Sequence, residues 1–307
     1  MRLSIVAFAF AFLCPMAHGA VLNDKPFYEM SQKEIARTIL ETHKAYPRLS
    51  DRIVEISALF LGTPYRLGPL GEGAHGVFDK NPLISFKAVD CTTFVEETMA
   101  LSLAQNFEQV PGILNRIRYK NGKVSYQTRN HFPSADWIPN NIAAGFLKDI
   151  TAQVAGKNIK TAVKVISKRI WYAEKKAMDL QNLTPMSAAK QVKLLENLRR
   201  LGEKMPDQKV AVPYVPIEDL PAVLNRIPSG TIANLVRADK PSMPVLISHQ
   251  VFIVDKGGVA YVRHAAWNQF VQDVPALDYF QRYLHSDWKL LGLNLLQITA
   301  PSKNRSK

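Results

Sequence analysis

The chain has 307 residues, 47% hydrophobic and 21% charged, the composition of a folded globule; this excludes disordered, collagen-like and disulfide-framework classes. No repeat with a period of about 20–50 residues is visible, which removes solenoids and propellers. A net charge of +13 suits an anionic setting such as nucleic acid, anionic lipid or an acidic cell-wall polymer.

At the N-terminus, Met1-Arg2 precedes an apolar run from Leu3 to Leu13 interrupted only by Ser4. Pro15 breaks the run, and Ala17-His18-Gly19 places small residues where a signal peptidase cuts. This predicts a cleavable signal peptide over 1–19 and a periplasmic or secreted protein. A lipid anchor on Cys14 is disfavoured, because Leu13 stands where a small residue is required. The run falls short of the roughly 18 residues of a membrane span, and no later segment reaches that length. Export in turn argues against nucleic acid as a partner. With Cys14 lost with the leader, Cys91 is the only thiol left, so no intrachain disulfide can form; it is either an inert buried side chain or a nucleophile.

From residue 20 onward the chain is read as one domain. Ser31 and Glu34 form a capping box for a helix with Ile35, Ile39 and Leu40 at helical spacing, ending at Pro47. A second helix starts at Ser50, turns Ile53, Ile56, Leu59 and Phe60 to one side, and stops at Gly62. A glycine-containing loop over 62–73 leads to Asp90-Cys91, which opens a third helix. Between 157 and 209 there are 13 Lys or Arg against 5 Asp or Glu. Ile159, Val163, Ile166 and Ile170, then Val192, Leu195 and Leu198, recur at helical spacing, which predicts a basic helical insertion at about 151–209. Its basic face is either solvated or docks an anionic polymer. The stretches 227–236, 245–254 and 259–266 are rich in β-branched residues, and Asp255-Lys256-Gly257-Gly258 joins the last two as a hairpin. Helices first and antiparallel strands later predict an α+β fold.

The chemistry centres on Cys91. A thiol of pKa near 8.5 is only about 3% thiolate at pH 7, and a helix N-terminus with a neighbouring imidazolium lowers that pKa. Asp90 is the natural N-cap, although its charge opposes thiolate formation. A base is needed, and His249 and His264 share the hairpin. A turn at Lys256-Gly257 sets them directly opposite one another; a Gly257-Gly258 turn sets them diagonally on one face; a three-residue loop separates them. Such a pair fits a base held by an orienting partner. Two histidines with one thiolate also raise the possibility of zinc, but neither a second cysteine nor a fourth ligand is evident.

Taken together, Gly62-Thr63-Pro64-Tyr65, Asp90-Cys91 opening a helix, Ser248-His249-Gln250-Val251-Phe252-Ile253 and Val262-Arg263-His264-Ala265 resemble the NlpC-type, papain-like cell-wall cysteine peptidases and amidases. Tyr126-Gln127-Thr128-Arg129-Asn130-His131-Phe132 with Ala135-Asp136-Trp137-Ile138 is similar to a narrower branch, long catalogued as a domain of unknown function and associated with N-acetylmuramoyl-L-alanine amidase activity. The resemblance implies a papain-like fold with Cys91 as nucleophile, His249 as general base, His264 orienting it, and Tyr65 helping the Cys91 N–H to form an oxyanion pocket. It implies no cofactor, and as substrate peptidoglycan or muropeptides cut at the amide between N-acetylmuramic acid and L-alanine. Two departures stand out: Thr92-Thr93 replace the usual Ser-Gly, and the glycine after the His-Val pair is absent. Cleavage between D-Glu and the diamino acid, or wall binding without catalysis, are the alternatives. Arg129, His131, Asp136 and Trp137 are candidate substrate contacts, Arg129 for a carboxylate and Trp137 for a sugar face; an Arg129–Asp136 ion pair beside a half-buried Trp137 is the structural alternative. His75 is expected at the surface.

Overall fold

The computed structural model describes residues 25–301; the leader expected over 1–19 lies outside the described residues. Two helices open it, α1 (Gln32–Ala45) and α2 (Leu49–Ala58). The capping box forms in full: the Glu34 N–H donates to Ser31 Oγ at 3.3 Å and the Ser31 N–H to Glu34 Oε2 at 2.6 Å. The buried stripe of α1 runs through Ile35, Thr38, Ile39 and Thr42, while Leu40 stays largely exposed. After α2 the chain turns through Gly62, whose φ of 81° suits a residue without a Cβ. Then come α3 (Cys91–Leu103) and α4 (Val110–Arg118). Helix α3 is buried from Thr93 to Ser102, as expected of a helix enclosed on all sides.

Eight strands follow: β1 (Leu147–Asp149), β2 (Lys160–Ile166), β3 (Gln208–Pro216), β4 (Thr231–Arg237), β5 (Ile247–Lys256), β6 (Val259–Ala265), β7 (Val271–Pro275) and β8 (Leu290–Ile298). Their order is β2-β3-β8-β4-β5-β6-β7, with β1 added to β8, and every pairing is antiparallel. The expected α+β class therefore holds. Alternation along β5 sends Phe252 and Val254 into the core shared with the helices, and Val251 and Ile253 into a second core with Val262, Leu295 and Phe280. The Phe94 ring of α3 meets Phe252 edge-on at 5.4 Å. Truncating either aromatic is expected to cost about 3–5 kcal/mol.

The basic segment differs from its expected form. Residues 160–166 are not helical but form β2, paired with β3 along its whole length. Ile159, Val163, Ile166 and Ile170 fit a helical period, yet Thr161, Val163, Val165 and Ile166 are β-branched, and the partner strand decides the conflict. Ala162, Lys164 and Ile166 face inward while Val163 and Val165 face out. Besides the short helix Thr151–Ala155 at its start, the α-helices of the segment are Lys168–Ala173 and Ala188–Arg200. The last packs through Leu194, Leu195 and Leu198 onto Phe78, Tyr126 and Tyr172, leaving Val192 exposed.

Candidate active site

The helix that carries Cys91 is capped as the sequence predicts. The Thr93 N–H donates to Asp90 Oδ1 and the Asp90 N–H to Thr93 Oγ1, each at 2.8 Å. The Gly68 N–H adds a third bond, to Asp90 Oδ2 at 3.0 Å. Thr93 is thus the reciprocal half of a capping box, which gives the Thr92-Thr93 departure a structural role. Cys91 itself is half-buried and unpaired.

The β5–β6 hairpin closes on Gly257 and Gly258, with φ of 64° and 88°, and Lys256 pairs with Val259. Two consecutive positive-φ residues make the turn that matches strand twist, and glycine supplies both. This is the diagonal register of the alternatives above. Between Asn234 and Val236 of β4 there are two steps, against three between Gln250 and Ile247 of β5, so β5 carries an extra residue at Ser248-His249. A bulge at this point re-aims side chains out of the regular ladder. His249 Nε2 lies 3.0 Å from His264 Nδ1, with the rings nearly perpendicular.

Surrounding groups hold the pair in place. Arg263, the neighbour of His264, bonds both oxygens of Asp273 at 2.8 and 2.9 Å and reaches α2 at the Val54 carbonyl and Ser57 Oγ. Gln250, the neighbour of His249, donates to Asn234 Oδ1, and Asn234 to Asn294 Oδ1, each at 2.9 Å; this buried amide ladder crosses β5, β4 and β8. The Tyr279 ring packs on His264 at 4.8 Å. The backbone N–H of Gln250 favours the charged form of the Cys91 sulfur; burial first, with that sulfur as a lesser contributor, raises the pKa of both Tyr65 and Tyr279. The Cys91 sulfur thus lies near Tyr65, Tyr279 and the backbone of Gln250, one residue along β5 from the His249–His264 contact.

The resting protonation state is opposite to expectation. Burial, then the Asp90 charge, pushes the Cys91 thiol up to about 12. Burial, then His264 and Arg237, lowers His249 to about 3; burial and Arg282 lower His264 to about 4. At neutral pH the sulfur holds its proton and both rings are neutral, because desolvation and Asp90 outweigh the helix N-terminus.

The other candidates behave differently. Arg129 does not meet Asp136; it pairs with Asp79 at 3.0 Å and Glu72 at 3.6 Å, and donates to the Leu70 carbonyl at 2.6 Å. Asp136 pairs with Lys168 and accepts from the Phe132 N–H. Trp137 is 0% exposed and its indole N–H donates to Glu96 Oε1 at 3.0 Å, so it offers no face to a sugar. His131 Nε2 sits 2.7 Å from the Tyr126 carbonyl oxygen, with Trp171 packed on the ring; burial holds its pKa well below the ordinary value. Arg129, His131 and Trp137 line a cavity shared with Asp90 and Thr92, whereas Asp136 lines a separate one. His75 is exposed, as expected. Missed by the sequence reading are Trp267, 62% exposed with its ring 5.2 Å from Tyr65, and Arg237, which donates to Ser248 Oγ at 2.8 Å. The tyrosine loop is laced to the Trp267 turn by Tyr65 N–H to Gln269 O and Gly62 N–H to Val271 O, a long-range pairing that local pattern does not announce. Among the described residues no group of three or more His, Cys, Asp and Glu is placed to hold a metal, and no helix is long and apolar enough to cross a membrane.

A solved protein from Legionella pneumophila str. Philadelphia 1, assigned to the DUF1460 family, is 30% identical with a TM-score of 0.80, covering 87% of this chain and 95% of its own. An N-acetylmuramoyl-L-alanine amidase from Bacteroides uniformis ATCC 8492 shares the fold at 24% identity and a TM-score of 0.60, over 82% of this chain and 99% of its own. A putative xylanase from Bacteroides fragilis is 25% identical with a TM-score of 0.58, over 79% of this chain and 99% of its own. No curated protein matches the chain. The family model described as AmiA-like, N-acetylmuramoyl-L-alanine amidase-like matches residues 55–287, more than half of the sequence and the whole of the cluster around Cys91, and the chain belongs to that family.

Proposed function

We propose that the protein is an exported cysteine amidase with a papain-like catalytic arrangement, which cleaves the amide between N-acetylmuramic acid and L-alanine in peptidoglycan or muropeptides. The observation that carries this reading is the 3.0 Å contact between His249 and His264 beside a thiol at the start of α3, in a chain of the amidase-like family. Cys91 Sγ attacks the lactyl carbonyl carbon while His249 takes the thiol proton. The carbon–nitrogen bond then breaks, the proton passes to the leaving amine of L-alanine, and the acyl group remains as a thioester. Water, deprotonated by His249, hydrolyses the thioester and regenerates the thiol. His264 keeps the base in one orientation. The Cys91 N–H and the Tyr65 hydroxyl serve the oxyanion, whose tyrosine stays protonated because burial raises its pKa.

The exposed Trp267 ring beside Tyr65 takes the sugar-stacking role that buried Trp137 leaves open. Digestion of defined muropeptides, with products weighed by mass spectrometry, tests the bond. Free disaccharide with an intact stem peptide supports the amidase; sugar-linked L-Ala-D-Glu supports cleavage after D-Glu instead.

A further inference from the structure

A cavity of about 370 Å³ opens beside the first turn of α3, with Thr92, Asp90 and Gly68 at its inner edge and Trp171, Lys175 and Asp179 of the basic segment as its outer wall. The volume falls in the range of small-molecule sites, roughly 300–1,000 Å³. Thr92 Oγ1, on the cavity's inner edge, is 3.9 Å from Cys91 Sγ, so a lining side chain is in reach of the sulfur.

Hydrogen-bond accounting shows what it lacks. Its carboxylates are all engaged: Asp90 by Thr93 and Gly68, Glu96 by Arg118 and Trp137, Asp79 by Arg129 and Asn81, Asp179 by Lys175 and Lys176. Arg118, which lines the same cavity, is only 1% exposed. Its Nε is held by Glu96 at 2.6 Å and its Nη1 by the Leu83 carbonyl at 2.7 Å, but Nη2 is buried with no acceptor. An unmet buried donor costs about 1–3 kcal/mol. Lys175, on the facing wall, lies 3.3 Å over the Trp171 ring centroid, so that indole face is not free for a sugar. The cavity therefore offers one unmet donor, Arg118 Nη2, and a lysine, Lys175, whose ammonium is shared with Asp179 at 3.2 Å.

We propose that this cavity receives the stem peptide of the substrate and that Arg118 Nη2 and Lys175 bind the free α-carboxylate of the D-Glu that follows L-alanine. The inference rests on the amidase reading and gives the basic segment a role, as the outer wall of the peptide site.

Arg118 is a poor mutational target, because its loss strands Glu96 as a buried charge. The test therefore uses Lys175 and the ligand. Full-length Cys91→Ala protein is titrated calorimetrically with MurNAc-L-Ala-D-Glu and with MurNAc-L-Ala-D-isoglutamine, which differ only in that carboxylate. The acid is expected to bind at least about tenfold tighter, or about 1.4 kcal/mol. Lys175→Met in the same background should remove most of the preference without lowering the melting temperature. Equal affinities, or a preference that survives Lys175→Met, overturn the proposal. Turnover by the wild type reads the amidase assignment separately: equal cleavage of both ligands keeps the amidase and overturns the carboxylate site. Acid-selective binding without any cleavage at the lactyl amide keeps the site and overturns the amidase.

Discussion

His249 meets His264 through Nε2, which leaves Nδ1 as the ring nitrogen that would take a proton from Cys91 under the proposed mechanism. In that state the Nε2–H of His249 donates to His264 Nδ1, and the remaining proton of His264 sits on its Nε2, a buried atom with no partner other than the Tyr279 ring beside it. The tautomer of one ring therefore dictates that of the next.

Replacing Cys91 by Ala should abolish turnover, a loss of at least about 10³-fold in kcat. The fold should persist, since the cap of α3 is made by Asp90 and Thr93. Single-turnover assays beside thermal melts check both halves, and retained activity removes Cys91 from the mechanism.

His264 should act on kcat and hardly on KM. His264→Ala is expected to lower kcat by about 10²–10⁴-fold, and His264→Gln, whose side-chain oxygen can still accept from His249, should recover part of it. Identical losses in the two variants would mean that the ring fills space and does not orient the base.

Acid should destabilise the protein through these same rings. Unfolded histidine titrates near 6.5, whereas folded His249 and His264 titrate at about 3 and about 4. The unfolded chain therefore binds more protons between those limits. The contribution is complete above about pH 6.5 and is lost progressively as pH falls through the folded values of about 4 and about 3. Melting temperatures from pH 7.5 to 4.5 should fall, and fall less steeply in His264→Gln.

Glu97 has the opposite sign. Burial pushes its carboxyl up to about 8, with Oε1 accepting from the Ser85 N–H and Oε2 unpartnered. Its folded pKa exceeds the unfolded one, so stability is fully present below about pH 4.3 and declines as pH rises through about 8. Glu97→Gln should melt progressively higher than the wild type between pH 6 and pH 9. A constant difference across that range would show that Glu97 does not titrate there.

Trp267→Ala should raise KM for a sugar-bearing muropeptide by about tenfold, the scale of one lost aromatic contact, with kcat nearly unchanged. An unchanged KM would leave the exposed ring without a part in binding.

Much of this site is legible in the residues themselves. Ser31 with Glu34, Asp90 before Cys91, and two glycines closing a hairpin are local signals, and each feature forms where the local chemistry puts it. What the sequence does not disclose depends on partners far along the chain. Strand β2 reads as helix until β3 is beside it. Arg129 looks free for a ligand until Asp79, 50 residues earlier, takes it. Trp137 looks like a stacking platform, but Glu96, buried on α3, claims its N–H. The thiol pKa is a balance of burial against helix polarity, and spacing alone does not reveal burial.

The extra residue at Ser248-His249 places His249, the base of the proposed mechanism, at the least regular point of β4–β5 pairing. Selection for thermal robustness alone would favour an uninterrupted ladder there, and a chain so improved would retain its sheet while turning its base away from the work. On the proposed mechanism, durability and turnover draw on the same few atoms of backbone and pull them in opposite directions.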